Sequence, residues 1–119
     1  MNFNNERPIY LQIVELIEQD IVAGKYQPKE KLPSVREMAV QYKVNPNTMQ
    51  RAFSELENRK LVYTERTNGR FVCDDGELIQ TKKDQLIRNR VQTFLQSMDD
   101  LGVDEETLLI YMKEERKGE

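Results

Sequence analysis

The chain has 119 residues, 33% of them charged and 38% apolar, with a net charge of −3. That length fits one average domain, or a small domain with a short accessory piece, and no apolar run reaches the ~18 residues of a membrane span. One cysteine, Cys73, excludes an internal disulfide, and the lack of histidine removes the usual metal sites and histidine-based triads; with no phosphate-cradling glycine loop either, we expect no metal, no cofactor and no enzyme.

The amino terminus, MNFNNERPIY, lacks the apolar core of a signal peptide, so a cytoplasmic protein without a membrane partner is expected. A first helix is predicted to open with Pro8 as its first residue, where the missing N–H costs nothing. Ile9, Ile13, Leu16, Ile17 and Ile21 then give it one apolar stripe, and Gly24 ends it. The stretch KYQPKEKLP, with two prolines and four charges, reads as a surface loop.

A second helix is predicted to begin at Ser34, which forms a capping box with Glu37 three residues on. Val35, Met38, Ala39 and Tyr42 supply its buried face, and Lys43, Val44 and Asn45 turn the chain. Asn45-Pro46 then joins a helix cap to a first-position proline, and Met49, Ala52, Phe53 and Leu56 give a third helix its stripe. Two helices across so short a turn cross steeply, as in a helix-turn-helix. In LVYTERTNGRFVC, Val62-Tyr63 start a strand, Asn68-Gly69 mark a tight hairpin and Phe71-Val72-Cys73 return. Three helices and a hairpin make a winged helix-turn-helix, with Asp74-Asp75-Gly76 as its boundary.

Beyond it, Leu86, Ile87, Val91, Phe94, Leu95, Met98 and Leu101 lie on one side of a long helix over roughly residues 77–100. Gly102 breaks that helix, and Asp104 caps a last one carrying Leu108, Leu109, Tyr111 and Met112. Two helices form too thin a layer to bury this surface, so a partner is required. Charge divides the same way: residues 1–73 hold 11 Lys/Arg against 9 Asp/Glu, and residues 74–119 hold 7 against 12. The expected fold is mostly α with a small β-hairpin. Residues 1–75 form a winged helix-turn-helix DNA-binding domain, and 76–119 a two-helix tail that makes a homodimer.

The third helix carries the chemistry. With its stripe turned inward at 100° per residue, Asn47, Gln50, Arg51, Ser54 and Asn58 face outward, and Glu55 and Glu57 stay on the flanks. Amides and a guanidinium suit base edges, and hydroxyls suit phosphates. Asn47, Thr48, Gln50 and Arg51, near the helix start, would reach deepest into the major groove of double-stranded DNA. A merely solvated face is the alternative that composition allows; the short turn and the hairpin favour DNA. Arg36, beside the second helix's start, is either a DNA contact or an ordinary surface charge. Arg66 and Arg70 flank the hairpin tip, where they either reach a minor groove or its phosphates or sit on a mobile loop. Tyr10, Lys29 and Lys31 are further candidates.

From Pro8 to Cys73, PIYLQIVELIEQDIVAGKYQPKEKLPSVREMAVQYKVNPNTMQRAFSELENRKLV and ERTNGRFV resemble, without a gap, the winged-helix domain of the GntR family of bacterial transcription regulators. The Asn-Pro-Asn-Thr helix start and the short helical tail are similar to its YtrA subfamily. The resemblance implies DNA contacts at Ser34, Arg36, Thr48, Gln50 and Arg51 and at the wing, with Gly69 at the wing tip beside Asn68. It also implies a dimeric repressor on an inverted repeat near its own promoter, often of a transporter operon. The chain departs from the pattern twice. Many relatives carry Ser-Arg or Thr-Arg where Asn45-Pro46 stand, so the guanine contact of that arginine is missing or passes to another residue such as Arg51. Thr67 replaces the first glycine of the usual wing. A winged helix used as a protein-interaction adaptor is the competing class, favoured by the acidic tail. No residue identifies a small-molecule effector; a crevice between tail and winged domain is the place considered for one.

Overall fold

The computed structural model describes residues 3–118, in which α1 (Ile9–Val22), α2 (Val35–Tyr42), α3 (Pro46–Asn58), β1 (Val62–Glu65), β2 (Gly69–Val72), α4 (Gly76–Asp100) and α5 (Glu105–Lys117) follow in order. The chain divides into two compact units, the first ending at Lys83 and the second starting at Asp84, so the first turns of α4 belong with the winged helix-turn-helix. No helix among the described residues is long and apolar enough to cross a membrane.

Local chemistry sets the helix starts. At α2 the Glu37 N–H donates to Ser34 Oγ at 3.1 Å, and the Ser34 N–H donates to Glu37 Oε1 at 2.9 Å. At α3 the Asn47 N–H donates to Asn45 Oδ1 at 2.7 Å, with Pro46 as the first helical residue. Helix α1 differs from the sequence expectation: Pro8, at ψ 138°, is its cap, and the helix begins at Ile9. The cause is the segment before it. The Gln12 side chain donates to the Asn4 and Arg7 carbonyls, both at 2.9 Å, and holds the incoming chain in a bend over residues 5–7.

The ends of α1 to α4 share one pattern. After α1, the Lys25 N–H donates to the Asp20 carbonyl and Gly24 takes a left-handed φ of 81°. Gly102 repeats this after α4. After α3 the left-handed residue is Lys60 (φ 65°), and after α2 it is Lys43 (φ 59°).

The hairpin pairs Val62 with Val72 and Glu65 with Gly69, which leaves a three-residue loop, Arg66 to Asn68. The turn therefore does not centre on Asn68-Gly69 as expected, and Gly69 opens β2. Its φ is 109°, and a side chain there would come within 3.1 Å of Lys31 Cε. The expected surface loop is likewise partly sheet: Leu32 N–H donates to the Arg70 carbonyl and Val72 N–H to the Glu30 carbonyl, both at 2.9 Å, and Lys31 bridges Phe71. The flanking prolines, Pro28 and Pro33, mask a stretch whose apolar residue, Leu32, enters the core.

In that core Met49, Ala52, Phe53 and Leu56 of α3 are fully buried against Ile13, Val14 and Ile17 of α1 and Met38, Ala39 and Tyr42 of α2. Burial and nearby Asp20 push the Tyr42 phenol up to about 12. One carboxylate lies beneath. Glu18 is 2% exposed and accepts from Arg59 Nη1 at 2.9 Å, with Lys82 Nζ at 3.6 Å. Arg59 also reaches Glu55 at 2.8 Å. Burial alone would lower the Arg59 value, but its two carboxylates outweigh that and raise it. This cluster ties α1, the end of α3 and the start of α4.

Removing one partner of a buried ion pair strands the other. Arg59→Ala is expected to cost about 3 kcal/mol in urea unfolding, the low end because Lys82 remains. Arg7→Ala, which removes an exposed pair with Glu15, should leave the unfolding midpoint close to that of wild type. Glu37 gives a pH test. The hydrogen bond from the Ser34 backbone, then that with its hydroxyl, holds its carboxyl below the ordinary value. Its contribution is full above the ordinary glutamate range and lost as pH falls through the lowered value. Wild type should therefore unfold at higher urea than Glu37→Ala at pH 7, with the gap closing in acid.

Candidate nucleic-acid interface

Complete burial of one side of α3 presents the other side outward. Asn47, Gln50, Arg51, Ser54 and Asn58 are exposed, and Thr48 is half-buried at the helix start. Tyr10, Gln50, Arg51, Ser54, Glu55 and Asn58 border a shallow depression of about 240 Å³. Arg51 Cζ lies over the Tyr10 ring, 4.1 Å from its centroid. Among the described residues no hydrogen bond or ion pair occupies the Arg51 guanidinium.

The flanking carboxylates are both engaged. Arg59 hydrogen-bonds to Glu55 and holds its carboxyl below the ordinary range. Glu57 accepts from Arg70 Nε at 3.0 Å and from Thr64 Oγ1 at 2.8 Å. Arg70 thus differs from Arg66. It folds back against α3, with Cζ 5.0 Å from the Phe53 ring centroid, whereas Arg66 stands exposed in the loop. Asn68 and Gly69 are also exposed, and the Asn68 side chain donates to Glu65 at 3.2 Å. Tyr63 and Phe71 stack across the strands, centroids 5.6 Å apart, and stiffen the wing. At the start of α2, Arg36 is exposed, and the Ser34 hydroxyl accepts the Glu37 N–H.

The contacts of Arg51 with Tyr10 and of Arg70 with Glu57 had no local sequence signal, because each joins residues far apart in the chain. Cys73 is buried just past β2, its N–H donating to the Leu61 carbonyl at 2.9 Å, as fits a small residue at a strand end.

The second unit carries the residues of the tail. Of the residues expected at a dimer interface, Ile87, Val91, Phe94, Leu95, Leu101 and Tyr111 are exposed, Leu101 by 72%. Leu86 and Met98 are half-covered, and Leu108 is already buried at 7% exposure. Phe94, Met98, Leu101, Leu108, Tyr111 and Met112 line an apolar cleft of about 580 Å³, with Glu115 and Arg116 at its edge.

Residues 9–72 match the family described as bacterial regulatory proteins, gntR family. The chain is 42% identical over 116 residues to the HTH-type transcriptional regulator YhcF of Bacillus subtilis, covering 98% of this chain and 96% of that one. It is 32% identical over 109 residues to the HTH-type transcriptional repressor YtrA of the same organism, covering 90% and 83%. Among solved structures it is similar to a GntR family transcriptional regulator from Listeria monocytogenes, with a TM-score of 0.84 at 37% identity over 94% of this chain and 98% of that one. It is also similar to AraR(DBD) in complex with operator ORX1, with a TM-score of 0.57 at 30% identity over 60% of this chain and 93% of that one.

The brace between Glu57 and the wing yields a local test. Its two side chains are 35% and 23% exposed, so the pair is worth about 1 kcal/mol. Glu57→Ala should speed amide hydrogen exchange in β2 by roughly fivefold while exchange in α1 is unchanged.

Proposed function

This chain belongs to the gntR family of bacterial regulatory proteins, and from that premise we propose that it is a sequence-specific, DNA-binding transcriptional regulator acting in the cytoplasm. The observation that carries the reading is the outward side of α3, where Asn47, Gln50, Arg51, Ser54 and Asn58 are exposed and both flanking carboxylates are neutralised by arginine. In this reading α3 enters the major groove, with Asn47, Gln50 and Arg51 against base edges and Thr48 and Ser54 toward phosphates. Ser34 and Arg36 meet the sugar-phosphate backbone from α2. Arg66, Asn68 and Gly69 follow a neighbouring groove from the wing, and Arg70 acts as its brace. The AraR domain bound to an operator supports such an approach of this fold to duplex DNA.

We further propose that the protein is a homodimeric repressor on an inverted repeat. The YtrA relative is a repressor by name, which supports the sign of regulation. The exposed row Ile87, Val91, Phe94 and Leu95 supports pairing of two tails, because a water-facing apolar row on one helix favours a partner of the same shape. Two recognition helices would then meet half-sites about 10 base pairs apart, centre to centre.

Fragments selected from random DNA should yield an inverted repeat. Arg51→Ala or Gln50→Ala should weaken binding to it by roughly 1–3 kcal/mol, and affinity should fall steeply with added salt as counterions are released. Binding that ignores salt and both substitutions would favour the adaptor reading. Sedimentation should give a dimer at tens of micromolar, and Leu95→Asp a monomer.

A further inference from the structure

We propose that Tyr10 is a positioning residue for base reading: its ring holds the Arg51 guanidinium in place on the outward side of α3, poised for a guanine edge. The inference rests on the DNA-binding reading above and adds the residue that makes Arg51 selective.

Three arginines lie around α3, and the structure restrains each differently. Arg59 gives its N–H groups to Glu55 and Glu18. Arg70 gives its Nε–H to Glu57. Both are fixed by carboxylates, which consume donors and cancel the charge. Arg51 is restrained by an aromatic ring, 4.1 Å from Cζ to centroid. The attraction of a cation to a ring quadrupole uses no N–H group. Arg51 therefore keeps its donors, and recognition of guanine O6 and N7 needs two of them side by side.

The support beneath the pair is rigid. Tyr10 stands on α1, one turn before Ile13 and Val14 and two before Ile17, all fully buried against the core that also buries Met49, Ala52 and Phe53 of α3. The ring and the helix that carries Arg51 are thus anchored on the same core. A long, flexible side chain that is ordered before binding loses less freedom on contact, and the gain appears at the base it reads rather than at phosphates. The depression beside Arg51, bordered by Tyr10, Gln50, Ser54 and Asn58, leaves room for a base edge.

The test uses the full chain, the fragment selected from random DNA, the same fragment with each guanine replaced in turn, and an unrelated duplex. Tyr10→Leu should lower the ratio of cognate to unrelated affinity roughly two- to fivefold, with the salt slope unchanged. Tyr10→Phe should keep the wild-type ratio. Tyr10→Leu combined with Arg51→Ala should lose no more than Arg51→Ala alone, and one guanine replacement should erase the difference between wild type and Tyr10→Leu. Without DNA, the Arg51 Nε–H resonance should move in Tyr10→Leu and stay in Tyr10→Phe. Several results would overturn the inference: a Tyr10→Leu ratio equal to wild type, a Tyr10→Phe loss matching Tyr10→Leu, or a salt slope reduced by about one as for a phosphate contact. A wild type that selects no fragment would overturn the DNA-binding reading and this inference together, an outcome distinct from a selective wild type indifferent to Tyr10.

Discussion

The complete burial of Met49, Ala52, Phe53 and Leu56 is the constraint on which the rest of the winged helix-turn-helix depends. Successive helical residues are about 100° apart, so fixing four side chains in a close-packed core fixes the rotation of α3. A slip by one residue would bring Gln50 to the place of Met49 and bury an amide with nothing arranged to bond it, at a cost of a few kcal/mol. The polar face thus points outward because the alternative rotation is expensive. Helices α1 and α2 and strand β1 supply the other side of that packing, and the Asn45-Pro46 start restrains the first turn of α3.

A chain with a net charge of −3 looks ill suited to a polyanion, and the resolution lies in pairing. Helix α3 carries two glutamates and one arginine, which by count is the wrong sign. Glu55 is taken by Arg59, and Glu57 by Arg70, arginines that come from just past the helix and from the wing. What stays unpaired on the outward side is Arg51 among amides and hydroxyls. Charge counted along the chain and charge presented to a partner are different quantities, and only the second acts across a groove within a Debye length of about 8–10 Å. Glu18 extends the same logic inward. Its buried carboxylate draws in Arg59, and Arg59 then has a hydrogen bond left for Glu55. The internal cluster therefore reaches the electrostatics of the outward face.

Much of this was legible in the sequence because it is periodic or local. The stripe from Met49 to Leu56 sets both the core and the exposed face of α3, and the Ser34–Glu37 box and the Asn45 cap form between residues two or three apart. The winged helix-turn-helix itself follows from those signals in order, whereas the gntR family was reached through the resemblance of the stretches between Pro8 and Cys73. What escaped depends on contacts across distance or on turn chemistry without its usual residues. Lys31 joins the sheet because Phe71, forty residues on, offers it an edge. Lys43 and Lys60 take left-handed conformations that sequence patterns assign to glycine, at a cost of roughly 1–2 kcal/mol each that the surrounding packing must offset. The hairpin turn was misplaced by reading Gly69 as a turn residue, when it opens β2 with a φ of 109° that strains any side chain there. Arg70 showed its charge in the sequence, but not that Glu57 holds it.

The second unit obeys a different balance. A helix of 25 residues is held at its start, where Leu78 and Ile79 pack on the core of the first unit, and beyond Lys83 none of its residues is fully buried. Helical hydrogen bonds alone leave such a segment marginal in water, because most helix stability in proteins comes from burying an apolar face. Helix α5 covers part of that face through Leu108, yet Ile87, Val91, Phe94 and Leu95 remain about half exposed. If two tails pair as proposed, one contact would both stabilise the helix and set the distance between two copies of α3. The tail would then be ordered by the same event that makes the protein able to read a repeat.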